Sequence, residues 1–318
     1  MAFQWIYIGS GHICEKTAAD VTRGEHRIAA IYGRNRETAA ALAQKFGAAV
    51  CDTAEAAFAH PGADAVYIGT PHTSHVDYAC LAMKMGKPVL CEKPVGVSAF
   101  DVKTLLACAK EYDVYFAEAM WTWFSDVALT VKDWVQSGRI GKVTGAELFY
   151  YFAGLMKPRT SRVRKPETAG GALLDVGIYP ITYCYNLFGV PDDVSCTGTL
   201  KEGIDIEEHI ILHFGDTQCK LHVGLNNLRE GCVIKGTEGS ISIPMFHVGS
   251  KATLKTADEK VVFHGKTDYL TQFDRVAEDI RAGRKESALV GHEATLQCMY
   301  IMDECRRQMG LRYPFEEN

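Results

Sequence analysis

A chain of 318 residues is long enough for two domains of ordinary size. With 47% apolar and 23% charged residues it has the composition of a soluble globular protein, and a formal charge of −5 argues against general affinity for nucleic acid or an anionic membrane. No window approaches ~18 uninterrupted apolar residues, which excludes a bilayer-spanning helix. The opening "MAFQWIYIGSG" enters a strand without the basic and apolar regions of an export signal, and 11 scattered cysteines with no C-x-x-C suit reduced thiols, so a cytoplasmic location is expected.

The first ~120 residues alternate strand and helix patterns, as βαβ units on a parallel sheet do. Residues 3–8 form a strand, followed by Gly9-Ser10-Gly11 and a helix to about Thr22. A second strand over 27–32 precedes an alanine-rich helix, 38–46, stopped by Gly47. Short segments at 48–51 and 53–59 lead to the buried run "AVYI" at 65–68, a helix over 75–85, a strand at 89–91, a helix capped by Ser98, and a last strand at 114–117. Near-continuous apolar strands require a sheet covered on both faces. Beyond ~120 a helix over 127–136 is followed by long strands at 143–152, 207–214, 218–225 and 232–235, separated by turn signals. Alternation of His209, Ile211 and His213 with Ile210, Leu212 and Phe214 predicts one covered and one more polar sheet face. Two amphipathic helices, one carrying Phe273, Val276, Ala277 and Ile280 and one over 293–309, close the chain. The expected division is 1–120 and 121–318, with the last helix free to pack back on the first domain.

Gly9-Ser10-Gly11-His12-Ile13-Cys14 lies between a strand and a helix. The first glycine permits the sharp turn and the second lets a pyrophosphate approach the backbone. The helix N-terminus, at His12 and Ile13, supplies N–H groups and partial positive charge. Cys14 occupies the third, packing position, where Gly or Ala is usual. A carboxylate at the end of the second strand would hold the ribose 2′-hydroxyl of NAD. Here the strand ends Tyr32-Gly33, followed by Arg34, and a planar guanidinium matches a 2′-phosphate, which favours NADP with NAD as the alternative.

In an open parallel sheet, ligands bind beyond the carboxyl ends of the strands. That rim should carry Thr70, Pro71 and His75 from "TPHTSH" and Glu92 and Lys93 from "CEKPVGV", all candidate cofactor contacts. Pro94 restricts Lys93 to an extended backbone, so the ammonium is aimed outward. Trp121 and Phe124 could wall the pocket. His72 and His75 are three apart without a third ligand, so no metal is expected. The basic run "KPRTSRVRK" at 157–165 is expected to be a mobile loop near the cofactor or a subunit rim.

Gly9-x-Gly11, "TPHTSH", "CEKPVGV", "AEAMWTWF" at 117–124 and "GGALLDVGIYPI" at 170–181, in this order, resemble the glucose–fructose oxidoreductase/inositol dehydrogenase (Gfo/Idh/MocA) family over nearly the whole chain. Within it the chain is most similar to dimeric dihydrodiol dehydrogenases and NADP-dependent D-xylose dehydrogenases. The resemblance implies an α/β protein: a Rossmann dinucleotide-binding domain, then an α/β domain whose large, open, mostly antiparallel sheet commonly joins subunits, here a homodimer or homotetramer. It implies Lys93 as active-site lysine and Asp175 and Tyr179 as its acidic and phenolic partners. At positions i and i+4, Asp175 and Tyr179 should share one face of a helical turn, opened by a flexible Gly170-Gly171. Related dehydrogenases often carry arginine where this chain has Trp123, which leaves the particular sugar open. The function implied is hydride transfer between a small polyol, aldose or cyclic diol and NADP. A cofactor-binding regulator without activity, an NAD-dependent glycosidase using transient oxidation, and a reductase of imines or enones are the alternatives.

Overall fold

Six short, mostly apolar segments build one sheet. They are β1 (Phe3–Ile8), β2 (His26–Tyr32), β3 (Ala49–Val50), β4 (Ala65–Ile68), β5 (Val89–Glu92) and β6 (Phe116–Ala119). All pair in parallel, in the order β3-β2-β1-β4-β5-β6. In the structure, a computed structural model that describes residues 2–316, β4, β5 and β6 are buried along their whole lengths, as a sheet covered on both faces demands. The helices between strands are α1 (His12–Val21), α2 (Arg36–Phe46), α3 (Ala54–Phe58), α4 (His75–Lys84) and α5 (Ala99–Glu111). Side chains of Asn35, Thr53 and Ser98 accept the N–H three residues on and so start α2, α3 and α5. Gly47, at φ +69°, ends α2 in the left-handed turn expected of it. The last strand lies two residues later than its apolar pattern suggests, because Glu118 is taken into β6 and buried.

The second sheet has eight strands in the order β14-β13-β12-β11-β7-β10-β9-β8. After α6 (Asp126–Gln136) come β7 (Val143–Tyr151), α7 (Ile178–Phe188), β8 (Asp193–Lys201), β9 (Ile204–Phe214), β10 (Thr217–Gly224), β11 (Arg229–Gly236), β12 (Gly239–Ile243), β13 (Lys251–Thr256) and β14 (Lys260–His264). Only β7 and β10 run parallel; every other pairing is antiparallel. Ile210, Leu212, Leu221, Leu148 and Ile234 are buried on one face, where α7 packs. On the other face one cross-strand row reads Ser195, Ile211, Lys220, Glu147 and Val233. Val233 is exposed and Ile211 half-buried. β8, exposed along most of its length, and the short strands β12–β14 were not among the strands expected from the sequence.

Two helices complete the chain, α8 (Leu270–Arg281) and α9 (His292–Met309). The chain divides into two compact units, residues 1–121 with 268–295, and 122–267 with 296–318. The expected division put 121–318 in the second domain and left only the last helix free to pack back on the first, whereas here α8 belongs to the first unit. The reason for the difference is α8: Phe273, Val276 and Ala277 join the core built on Trp5 and Tyr67, with the Phe273 ring edge-on to Trp5 at 4.8 Å. Among the described residues no helix is long and apolar enough to cross a membrane.

Candidate active site

The strand order of the first sheet reverses between β1 and β4, and the segments leaving their carboxyl ends are the ones rich in glycine and charge. Gly9 sits at φ +114°, and a Cβ there would lie 2.8 Å from the Gly69 carbonyl oxygen. Only glycine satisfies both conditions. Gly69 in turn leaves no room beside Cys14, whose sulfur would stand 2.6 Å from a Cβ at 69. The cysteine at the third loop position is thus accommodated by a glycine on the neighbouring strand.

Gly11 differs: a Cβ there would meet nothing within 4 Å. Gly11 is also the N-cap of α1, which has no side-chain cap, in contrast to α2, α3 and α5. The first-turn N–H groups at His12 and Ile13 therefore face an open space beside a glycine, which fits a pyrophosphate. The Ser10 and Thr38 hydroxyls, 2.7 Å apart, tie this loop to the start of α2. Arg34, just past the end of β2, is exposed and has no ion-pair partner among the described residues, whereas Arg36 pairs with Asp52. The position that would hold a carboxylate for NAD is Tyr32, stacked edge-on against Tyr78 at 6.1 Å.

The "TPHTSH" and "EKP" segments are braced together. His75 is buried, with Nδ1 2.9 Å from the Pro94 carbonyl oxygen and Nε2 2.8 Å from that of Thr70. Both ring nitrogens thus face backbone carbonyls, and the imidazole supports the loops at Thr70-Pro71 and Lys93-Pro94. The Ser74 hydroxyl contacts the Thr70 hydroxyl and the Pro71 carbonyl, fixing the first of these loops. The Lys93–Pro94 bond is cis. Glu92 is the last residue of β5 and is buried; Tyr67 donates its hydroxyl to Glu92 Oε1 at 2.7 Å.

A second acid stands nearby that sequence reasoning did not single out. Glu118, in β6, is buried and accepts a hydrogen bond from the Thr295 hydroxyl at 3.1 Å. Burial pushes its carboxyl up to about 7, and Glu92 adds to the rise; Thr295, the Val95 N–H and the Lys93 charge oppose it. Lys93 thus follows one buried acid in the chain and acts electrostatically on another.

The second unit presents the other candidates. Gly170 and Gly171 are packed, not loose. A Cβ on Gly170 would fall within 2.8 Å of the Arg162, Val163 and Lys165 carbonyls, and Gly171 is at φ +127°. They lead into a wide π-type turn, Leu173–Gly177, that runs on into α7, instead of the regular α-helical turn expected. Asp175 lies in the π turn and Tyr179 in the first turn of α7. Arg162 pairs with Asp175 at 2.7 Å. The basic run 157–165, expected as a mobile loop, contains the short turn Arg162–Arg164 that supplies this partner.

Tyr179 packs against Tyr150 and His247, with ring centroids at 5.6 and 5.0 Å. The Tyr150 hydroxyl and His247 Nε2 are 2.8 Å apart, and His247 Nδ1 lies 3.1 Å from Glu230 Oε2, close enough for charge pairing but off-line for a hydrogen bond. Nothing local in the sequence marks Tyr150, His247 or Glu230. Tyr150 and Glu230 are brought opposite each other by the pairing of β7 with β11, and His247, in the turn after β12, donates its backbone N–H to Glu230 Oε1. Trp121 and Phe124 are both nearly fully buried, Trp121 against Tyr269 at 4.7 Å. Trp123 stacks on Tyr185, and its indole N–H has no acceptor among the described residues.

Residues 3–119 match the sequence profile of an "Oxidoreductase family, NAD-binding Rossmann fold", and residues 128–242 match the "GFO/IDH/MocA C-terminal domain". This chain belongs to the GFO/IDH/MocA family. Two relatives are each 30% identical with 98% of both chains covered. One is the trans-1,2-dihydrobenzene-1,2-diol dehydrogenase of Danio rerio and the other the scyllo-inositol 2-dehydrogenase (NADP(+)) IolU of Bacillus subtilis. The fold is shared with the 3-ketoreductase KijD10 of Actinomadura kijaniata, solved with NADP and TDP-benzene. That match has a TM-score of 0.88 at 19% identity and covers 97% of this chain and 98% of the other. The aldose-aldose oxidoreductase of Caulobacter crescentus matches as well, at 0.88 and 19%, covering 97% of both chains. As a GFO/IDH/MocA protein this chain is a nicotinamide-dinucleotide-dependent oxidoreductase, and the glycine-lined start of α1 is the feature of its own structure that suits the cofactor.

Proposed function

We propose that this enzyme oxidises a secondary or hemiacetal carbinol of a small polyol, aldose or cyclic diol, or reduces the corresponding carbonyl, with NADP preferred over NAD. The observation that carries the reading is Lys93, just past the carboxyl end of β5 on the same rim as the glycine loop, next in the chain to the buried Glu92 and acting electrostatically on the buried Glu118. The relatives' activities on a cyclic diol and on an inositol support the substrate class. Arg34, with Tyr32 where a carboxylate would stand, supports NADP.

The cofactor, when bound, supplies the hydride acceptor for oxidation or the donor for reduction. Gly9, Gly11, His12 and Ile13 would hold its pyrophosphate and Arg34 its 2′-phosphate, with Thr70, Pro71 and Glu92 beside it. His75 keeps the loops in place. Tyr179 takes the hydroxyl proton of the substrate. A phenol ordinarily titrates near ~10, too high for a base at neutral pH unless a positive charge favours the phenolate. Lys93 donates a hydrogen bond to the substrate oxygen. Asp175, held by Arg162, orients the substrate.

A screen of aldoses, inositols and dihydrodiols at the absorbance of the reduced nicotinamide, with each cofactor, tests the substrate class. Tyr179→Phe should lower kcat by about 10²-fold or more; activity within a few-fold of wild type would remove the tyrosine from acid–base work. The open face of the second sheet, with Val233 exposed and Ile211 half-buried in one row, is proposed as the contact with a second copy of the chain. Eleven free cysteines suit a reducing, cytoplasmic setting.

A further inference from the structure

Behind the turn that carries Asp175 lies a pair of acids that the proposed reaction does not use. Asp205 and Glu208, in β9, are both wholly buried. Three residues apart, they would ordinarily point to opposite faces of a strand. A bulge brings them together: β8 pairs Thr199 with Glu207 and Leu200 with Asp205, so β9 carries one extra residue between the two pairs.

Asp205 Oδ2 accepts the Leu173 N–H, the first in the π turn, at 2.6 Å. Its other oxygen is set against Gly171, where a Cβ would lie 2.0 Å away. Asp205 Oδ1 and both Glu208 oxygens have no N–H or hydroxyl donor among the described residues, and the two carboxyl groups face each other. Two bare acceptors do not associate in an apolar interior, so one must carry a proton and donate it to the other. Burial, followed by the neighbouring Asp205 charge, pushes Glu208 well above the usual carboxylate range, which makes Glu208 the protonated partner. The other titratable groups around it are Glu207 on its own strand, Cys196 on β8, Cys305 on α9 and Tyr313. None of these is a cation. Arg306, buried beside Tyr313, lies over that ring and pairs with Asp303 and Glu316.

We propose that Asp205 and Glu208, sharing one proton, form the clamp that positions the turn Leu173–Gly177, and with it Asp175 and the start of α7. The clamp explains why position 171, though buried, must be glycine. A side chain at 171 would strike the carboxyl that holds the next turn. The role in turnover rests on the reading of Asp175 and Tyr179 above; the clamp itself does not.

The test is hydrogen exchange over residues 172–177 in the full chain, with turnover measured alongside. Asp205→Ala removes the acceptor and should speed exchange there about tenfold or more, leaving peptides of β1–β6 unchanged. Asp205→Asn keeps an acceptor for Leu173 and a donor for Glu208, and should restore slow exchange. Where Asp205→Ala does not fold, Glu208→Leu, which leaves Asp205 unpaired, should loosen the same segment and Glu208→Gln should not. Exchange within about twofold of wild type in Asp205→Ala or Glu208→Leu overturns the clamp, as does an Asn variant as loose as the Ala variant. Faster exchange with a lower kcat and an unchanged Kd for NADP supports clamp and active-site reading together. Faster exchange with unchanged kcat leaves the clamp standing and removes Asp175 and Tyr179 from the reaction.

Discussion

Glu118→Gln gives a pH signature that follows chiefly from burial. In the folded chain the Glu118 carboxyl is raised from 4.5 to about 7. At about 1.4 kcal/mol per unit, the charged form is disfavoured by about 3 kcal/mol relative to the unfolded chain. Because the folded value lies above the unfolded one, the stabilisation belongs to the protonated side. It is complete below about pH 4.5 and is lost as pH climbs through about 7. Glutamine cannot ionise, so the variant escapes the loss. The stability difference between variant and wild type should shift in favour of the variant by about 2.5 kcal/mol between about pH 5 and about pH 8. Any constant effect of the amide on Thr295 or Val95 cancels in that difference. Urea unfolding of both proteins across this range is the assay. A difference that stays flat within about 0.5 kcal/mol, or that falls with pH, would refute the assignment of Glu118 as a carboxyl forced to charge inside the protein.

Two further outcomes are expected. Arg34→Asp should raise the KM for NADP about 10- to 100-fold, the effect of losing a charged hydrogen bond of about 1.5–3 kcal/mol, while improving use of NAD; steady-state kinetics with both cofactors decides it, and an unchanged ratio would place the 2′-phosphate elsewhere. Val233→Asp, on the exposed face of β11, should shift sedimentation toward the monomer with the fold retained. An unaltered oligomer, or a wild type already monomeric, would remove that sheet face as the subunit contact.

The sequence alone determined what is encoded within a few residues. The apolar runs marked β1, β4 and β5; Gly47 marked a helix end and Ser98 a helix start; Gly9-x-Gly11 and Glu92-Lys93-Pro94 marked the rim, because a turn, a cap or a restricted backbone depends on its immediate neighbours. The ordered set of motifs also carried the family. Tertiary structure decided what depends on residues far apart. It took α8 into the first unit, since an amphipathic stripe says that a helix is buried but not against which core. It gathered Arg162 with Asp175, and Tyr150 and His247 with Tyr179. It also turned three unremarkable glutamate and aspartate positions, Glu118, Asp205 and Glu208, into buried acids. Nothing in a carboxylate's neighbours along the chain reports how much water the fold leaves it, and that water sets its charge.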